Sequence, residues 1–287
     1  MRILGKYLVP THRLAPLVRV LLVLGACGGS ADGSTVLEST ITSTPAPTTT
    51  ATTEATTTPE AGLEGELLVS AAASLTDAFA EVQAAFEDTN PGVNVVLNLG
   101  SSSSLREQIL EGAPADVFAS ANTSNMEQVA EAGEVAGDAR IFVLNRLQIA
   151  VPAGNPAGIT GLDDFANEDL LIGLCAEEVP CGSFGREVLE KAGVTPAIDT
   201  NEPDVRALLT KVEAGELDAG IVYLTDVLST AGAVEGVEIP EEFNVLAAYP
   251  IAALVNAPNP NAAAAFVEFV LSDEAQAILV EFGFSSP

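Results

Sequence analysis

Between residues 67 and 120 the chain alternates short apolar runs with segments of helical periodicity, and this pattern constrains the fold more than any other feature. Leu67-Leu-Val-Ser-Ala71 is a buried-strand run. Ser74 precedes a segment with apolar residues at Leu75, Phe79, Val82 and Phe86, the 3.6-residue spacing of an amphipathic helix with a capping residue in front. Asn90-Pro91-Gly92 is a turn, and Val93–Leu99 is a second strand. Gly100 and four serines lead into a helix over Leu105–Glu111, and Ala115–Ser120 is a third strand. Strand, helix, strand, helix, strand requires a parallel sheet with helices on its faces.

The pattern restarts further on. Strands are expected at Leu147–Pro152, Leu170–Leu174, Ala219–Leu224 and Tyr249–Val255, with helices over Phe184–Ala192, Asp204–Gly215, 261–270 and 273–281. The organisation is therefore two α/β lobes, 65–144 and 145–247, with 248–287 returning to the first. Crossovers near 140–150 and 244–250 form a two-strand hinge.

The first 26 residues stand apart from this folded part. They hold Arg2, Lys6, Arg13, Arg19 and the only histidine, His12, and no acid. A basic start, an apolar run from Leu14 to Leu24 broken by Arg19, and Leu24-Gly25-Ala26-Cys27 make an export signal. Leu-Gly-Ala-Cys resembles a bacterial lipobox, which implies lipidation of Cys27 and removal of residues 1–26. Residues 27–64, rich in Thr, Pro, Ser and Ala, cannot bury enough apolar surface to fold and read as a disordered tether.

Removing the signal changes the chemistry available. Seven cations then face forty acids, a net charge of −33, and neither histidine nor tryptophan is left. Histidine-based triads and His-ligated metals are excluded. A nucleic-acid binder would need a basic face, so that class is excluded too. An enzyme such as a secreted serine hydrolase also lacks any Gly-x-Ser-x-Gly. Cys175 and Cys181, six apart in an exported chain, read as a disulfide, with two buried thiols as the alternative.

Three loops share one design, a strand end followed by small polar residues and a helix start: Ala71–Leu75, Gly100–Leu105 and Pro203–Arg206. Helix N-termini offer unpaired N–H groups and a positive dipole end to anions. Ligands of open α/β sheets bind where strands end.

These loops also carry a resemblance. Ser70–Phe79, Gly100–Ile109, Gly112–Ala121, Asp204–Arg206 and Ala219–Asp226 resemble the molybdate-binding proteins of ABC transporters, in that family's order. The resemblance spans about 66–284. It implies a two-lobed periplasmic-binding-protein fold of type II kind with the ligand cleft between the lobes. It implies an oxyanion held by hydroxyl and backbone N–H donors without a counter-charge. Carried onto this chain, the donors are the hydroxyls of Ser74, Ser102 and Tyr223 and the backbone N–H groups of Cys181 and Val205. The serine register within 101–104 is open by one residue, and Cys181 stands where the family has alanine. The expectation is an extracytoplasmic, monomeric lipoprotein with no cofactor. It would pass molybdate, and tungstate with it, to an ABC permease, and touch the membrane only through Cys27. Sulfate or another small solute is the alternative. Clustered tyrosines would have pointed to ferric binding; Tyr223 and Tyr249 read as standing apart.

Overall fold

The computed structural model describes residues 62–287. Cys27 and nearly all of the tether lie outside them. In chain order the elements are β1 (Gly65–Ala72), α1 (Thr76–Thr89), β2 (Val93–Gly100), α2 (Ser102–Leu110), β3 (Val117–Ala119), α3 (Thr123–Glu131), β4 (Val135–Pro152), β5 (Ile172–Cys175), α4 (Pro180–Ala192), β6 (Thr200–Glu202), α5 (Val205–Glu213), β7 (Ala219–Tyr223), α6 (Leu224–Ser229), β8 (Val234–Glu238), β9 (Leu246–Leu254), α7 (Pro260–Val270) and α8 (Asp273–Glu281). Among these residues no helix is long and apolar enough to cross a membrane.

The strand order is β2-β1-β3-β9-β4-β7-β5-β6, with β8 paired to β4. Parallel pairs β1/β2 and β1/β3 build one lobe, and parallel pairs β5/β6 and β5/β7 the other. The 18-residue β4 joins them. Its Val135–Arg146 stretch pairs antiparallel with β9, and Leu147–Pro152 pairs with β7 and β8. A parallel sheet needs helical crossovers that cover its faces, which is why β3, β5 and β7 are buried throughout and β1 over its second half.

The apolar face of α1 does what its spacing predicts. Phe79, Val82 and Phe86 are buried, and the two phenyl rings meet Phe142, Phe266 and Phe269 at centroid distances of 5.2–6.2 Å. Each such ring contributes about 1.5–3 kcal/mol by burial. This cluster seats α1, and with it the end of the β1–α1 loop, on α7.

Three local expectations need correction. Ser74 does not cap a helix: Ala73–Leu75 form a 3₁₀ turn ahead of α1, and no side chain caps either start. The serine run does not merely precede α2. Ser101 is its N-cap and Ser102–Ser104 are its first turn, because the Ser101 hydroxyl accepts from Ser104 N–H at 3.2 Å. Helix α4 begins at Pro180, four residues before the expected Phe184. Proline at the first helical position has no N–H to lose and a φ already suited to the helix. This start puts Cys181 in the first turn. Helices α3 and α6 and strands β6 and β8 were not expected. All are short, and their apolar residues are too few to show a period.

Candidate ligand-binding site

Six strand–helix junctions, those after β1, β2, β3, β5, β6 and β7, meet at one small cavity. Its free volume is about 20 Å³. Ser74, Ser102, Cys181, Val205 and Tyr223, the five donors carried over from the sequence, all line it, with Ser101 and Asp204 beside them. A single water needs about 10–15 Å³, so the space suits one compact group. No Lys or Arg lines it. Among the described residues no cluster of His, Cys, Asp and Glu could hold a metal ion.

The hydrogen bonds of the serines distinguish their roles. Ser101 gives its proton to Ser104 Oγ at 2.9 Å. Ser103 donates to the Glu178 carbonyl at 2.5 Å, which ties α2 to the loop before α4 in the other lobe. Ser102 Oγ accepts from Ala121 N–H at 2.9 Å. A hydroxyl has one proton and two lone pairs, so Ser102 keeps its proton for a further acceptor. Ser74 Oγ lies 2.9 Å from the Tyr249 hydroxyl, both groups buried.

Tyr223 ends β7, and its backbone N–H donates to Asp226 Oδ2 at 3.1 Å. Its side chain is 1% exposed and its hydroxyl has no partner. Leaving a buried hydroxyl unpaired costs about 1–3 kcal/mol, so this group has hydrogen-bonding capacity to offer at the cavity. Burial above all, then the charges of Tyr249 and Asp226, raises its pKa well above the ordinary phenol value. It therefore stays protonated and can donate. The N–H groups of Cys181 and Val205, in the first turns of α4 and α5, meet no backbone acceptor. They are among the orphan donors of a helix start.

Cys175 and Cys181 form a disulfide, Cα–Cα 5.7 Å, so the alternative of two thiols falls away. The bridge ties the end of β5 to the first turn of α4 and braces the Cys181 N–H. Gly182 tightens the same turn: a Cβ there would lie 1.8 Å from the Ala176 carbonyl oxygen.

Three features were not read from the sequence. Tyr223 and Tyr249 do not stand apart; their rings pack edge to face at 5.9 Å. They are 26 residues apart, and only the pairing of β4 with both β7 and β9 brings them together. Second, Arg206 reaches across the cleft. Its guanidinium pairs with Asp77 of α1 and donates to the Ala73 carbonyl at 3.3 Å and to Ser229 Oγ at 3.0 Å. Asp77 belongs to the other lobe, so the pair spans the cleft. Third, Asp226 is fully buried 3.6 Å from Arg206 Nε. Burial pushes its pKa up to about 7, and the attraction of Arg206 offsets only part of that. By contrast Arg106 pairs with Asn125 and Glu107, away from the cavity.

Similarity to known proteins follows the same chain segment. The family described as bacterial extracellular solute-binding protein matches residues 67–285. The molybdate-binding protein ModA of Mycobacterium tuberculosis is 40% identical over 221 residues, covering 77% of this chain and 85% of that protein. Among solved structures, the substrate binding domain of a putative molybdenum ABC transporter from Clostridium difficile aligns with TM-score 0.59 and 30% identity, over 77% of this chain and 99% of that one. The sulfate-binding protein SubI of Mycobacterium tuberculosis aligns with TM-score 0.71 at 19% identity, over 78% and 87% of the two chains, a likeness of fold alone. With its two lobes, its cleft and a family match that spans nearly all of the described residues, the chain belongs to the bacterial extracellular solute-binding proteins.

Proposed function

We propose that the cleft binds molybdate as its fully deprotonated dianion, tungstate equally, and that the protein delivers it to an ABC importer. Ser74, Ser102 and Tyr223 would donate hydroxyl protons, and Cys181 and Val205 backbone protons. The observation that carries this reading is the Tyr223 hydroxyl, buried and unpartnered at a cavity whose other polar groups are mainly donors. A dianion with no proton to give needs donors only. The free volume of about 20 Å³ argues against a sugar or another organic solute. A relative named for molybdate, at 40% identity, supports the choice of ion.

Five charge-assisted hydrogen bonds at about 1.5–3 kcal/mol each, less the cost of ordering and immobilisation, reach micromolar or tighter affinity. The net charge of −33 on the exported chain opposes a dianion only within about 8 Å at physiological salt. Local dipoles at the starts of α4 and α5 act inside that distance. Selection against sulfate then rests on cavity size, since charge and shape are shared.

Export and lipidation at Cys27 would hold the monomeric protein at the outer face of the membrane, with 27–64 as its tether. Calorimetric titration with molybdate, tungstate, sulfate and phosphate tests the ligand. Comparable tight binding of molybdate and tungstate is expected, and sulfate binding as tightly as molybdate would refute the specificity. Membrane fractionation of Cys27→Ala tests the anchor; a variant that stayed membrane-bound would refute it.

A further inference from the structure

We propose that Tyr249 is a positioning residue for the anion site, its hydroxyl donating to Ser74 Oγ so that the single Ser74 proton points at the ligand. This rests on the reading of the cleft given above. Tyr249 does not line the cavity. It sits on β9, the strand that pairs with both β3 and β4, and it is fully buried.

The 2.9 Å contact between the two hydroxyls can run in either direction. An oxyanion in the cavity decides it. Ser74 has one proton, and an anion only accepts, so Ser74 must donate outward and Tyr249 must supply the inner bond. Burial, the largest influence on Tyr249, raises its pKa, so that the proton it supplies is always present. A chain of two O–H donors ending on an anion polarises along its length, with about 10–30% strengthening per bond. The ring is held for this task. Phe142, Tyr223 and Phe284 meet it edge-on at 6.4, 5.9 and 5.6 Å. One side chain on β9 thus bonds a donor of one lobe and packs against the tyrosine donor of the other.

The test is a double-mutant cycle read by calorimetric titration with molybdate. Tyr249→Phe keeps the ring and removes the donor. It should weaken binding about 5- to 20-fold in the natural background. In a Ser74→Ala background it should change affinity less than twofold, because the hydrogen-bonded route to the ligand is gone and phenylalanine keeps the ring packing against Tyr223. Ser74→Thr, which keeps a hydroxyl, should restore sensitivity to Tyr249→Phe. Equal losses in the natural and Ser74→Ala backgrounds would show a packing role and overturn the proposal, as would Tyr249→Phe binding like the natural protein. Should Tyr249→Phe not fold, Tyr249→Met carries the same cycle. If Ser74→Ala alone left affinity intact, the site reading itself would fall; loss in Ser74→Ala without loss in Tyr249→Phe would overturn only the role of Tyr249.

Discussion

Gly182→Ala is the smallest change that should damage the site without removing a single ligand-facing group. A Cβ at this position would sit 1.8 Å from the Ala176 carbonyl oxygen, 2.6 Å from its carbon and 2.7 Å from the Cys175 oxygen, all backbone atoms. Real Cβ atoms stay beyond 3.0 Å, so backbone must part by about 1.2 Å, the gap between 1.8 and 3.0 Å. The disulfide from Cys181 to Cys175 ties together the two segments that would have to separate. The first turn of α4 must therefore deform, and the Cys181 N–H leaves its position. Overpacking of this kind costs about 1–3 kcal/mol. At about 2–4 °C per kcal/mol for a domain of this size, the melting temperature should drop roughly 2–12 °C. Loss of one charge-assisted donor, about 1.5–3 kcal/mol, should weaken molybdate binding roughly 10- to 150-fold. Gly185→Ala is the control on the same helix, because its Cβ would meet Ile221 at an ordinary 3.6 Å. Thermal unfolding and calorimetric titration of both variants check the argument. Gly182→Ala with natural affinity and melting temperature would refute it.

Replacing Cys175 and Cys181 together by serine removes a short-loop crosslink worth about 2 kcal/mol, and thermal unfolding should show a drop of roughly 4–8 °C. Asp77→Asn breaks the pair with Arg206 across the cleft; since both side chains are partly exposed, affinity should fall only about two- to fivefold below the natural protein at low salt, and the difference should narrow in high salt, which screens the natural pair, as titrations at two ionic strengths would show. Asp226, raised by burial from 3.8 to about 7, contributes stability that is full below about pH 4 and is lost as pH rises through 7. Denaturant unfolding at pH 5 and pH 8 should show a larger loss in the natural protein than in Asp226→Asn, and equal losses would contradict the assignment.

Much of the fold was legible because its central strands are buried on both faces and its long helices are amphipathic. Leu67–Ala71 and Ala219–Leu224 read as strands, and the Phe79–Val82–Phe86 spacing read as a helix face, since burial leaves its period in the residues. The 3₁₀ turn at Ala73–Leu75 and the early start of α4 leave no such period. They depend on contacts with distant backbone, such as Gly182 against the Ala176 carbonyl. Ser74, Ser102 and Val205 stand in loops legible as strand ends before helices, whereas Cys181 and Tyr223 were reached only through the family resemblance. Tyr249 was missed because its partner Ser74 is 175 residues away, and the Arg206–Asp77 pair spans 129 residues. Contacts of that kind come from topology, and one sequence carries no local sign of them.

The most direct test of the central claim is where the metal atom sits. Crystals grown with molybdate and measured at the molybdenum absorption edge give its position from anomalous scattering. The account predicts one strong peak in the cleft, with ligand oxygens within hydrogen-bond reach of the Ser74, Ser102 and Tyr223 hydroxyls and of the Cys181 and Val205 N–H groups. A peak elsewhere, or none in the cleft at saturating molybdate, would contradict it.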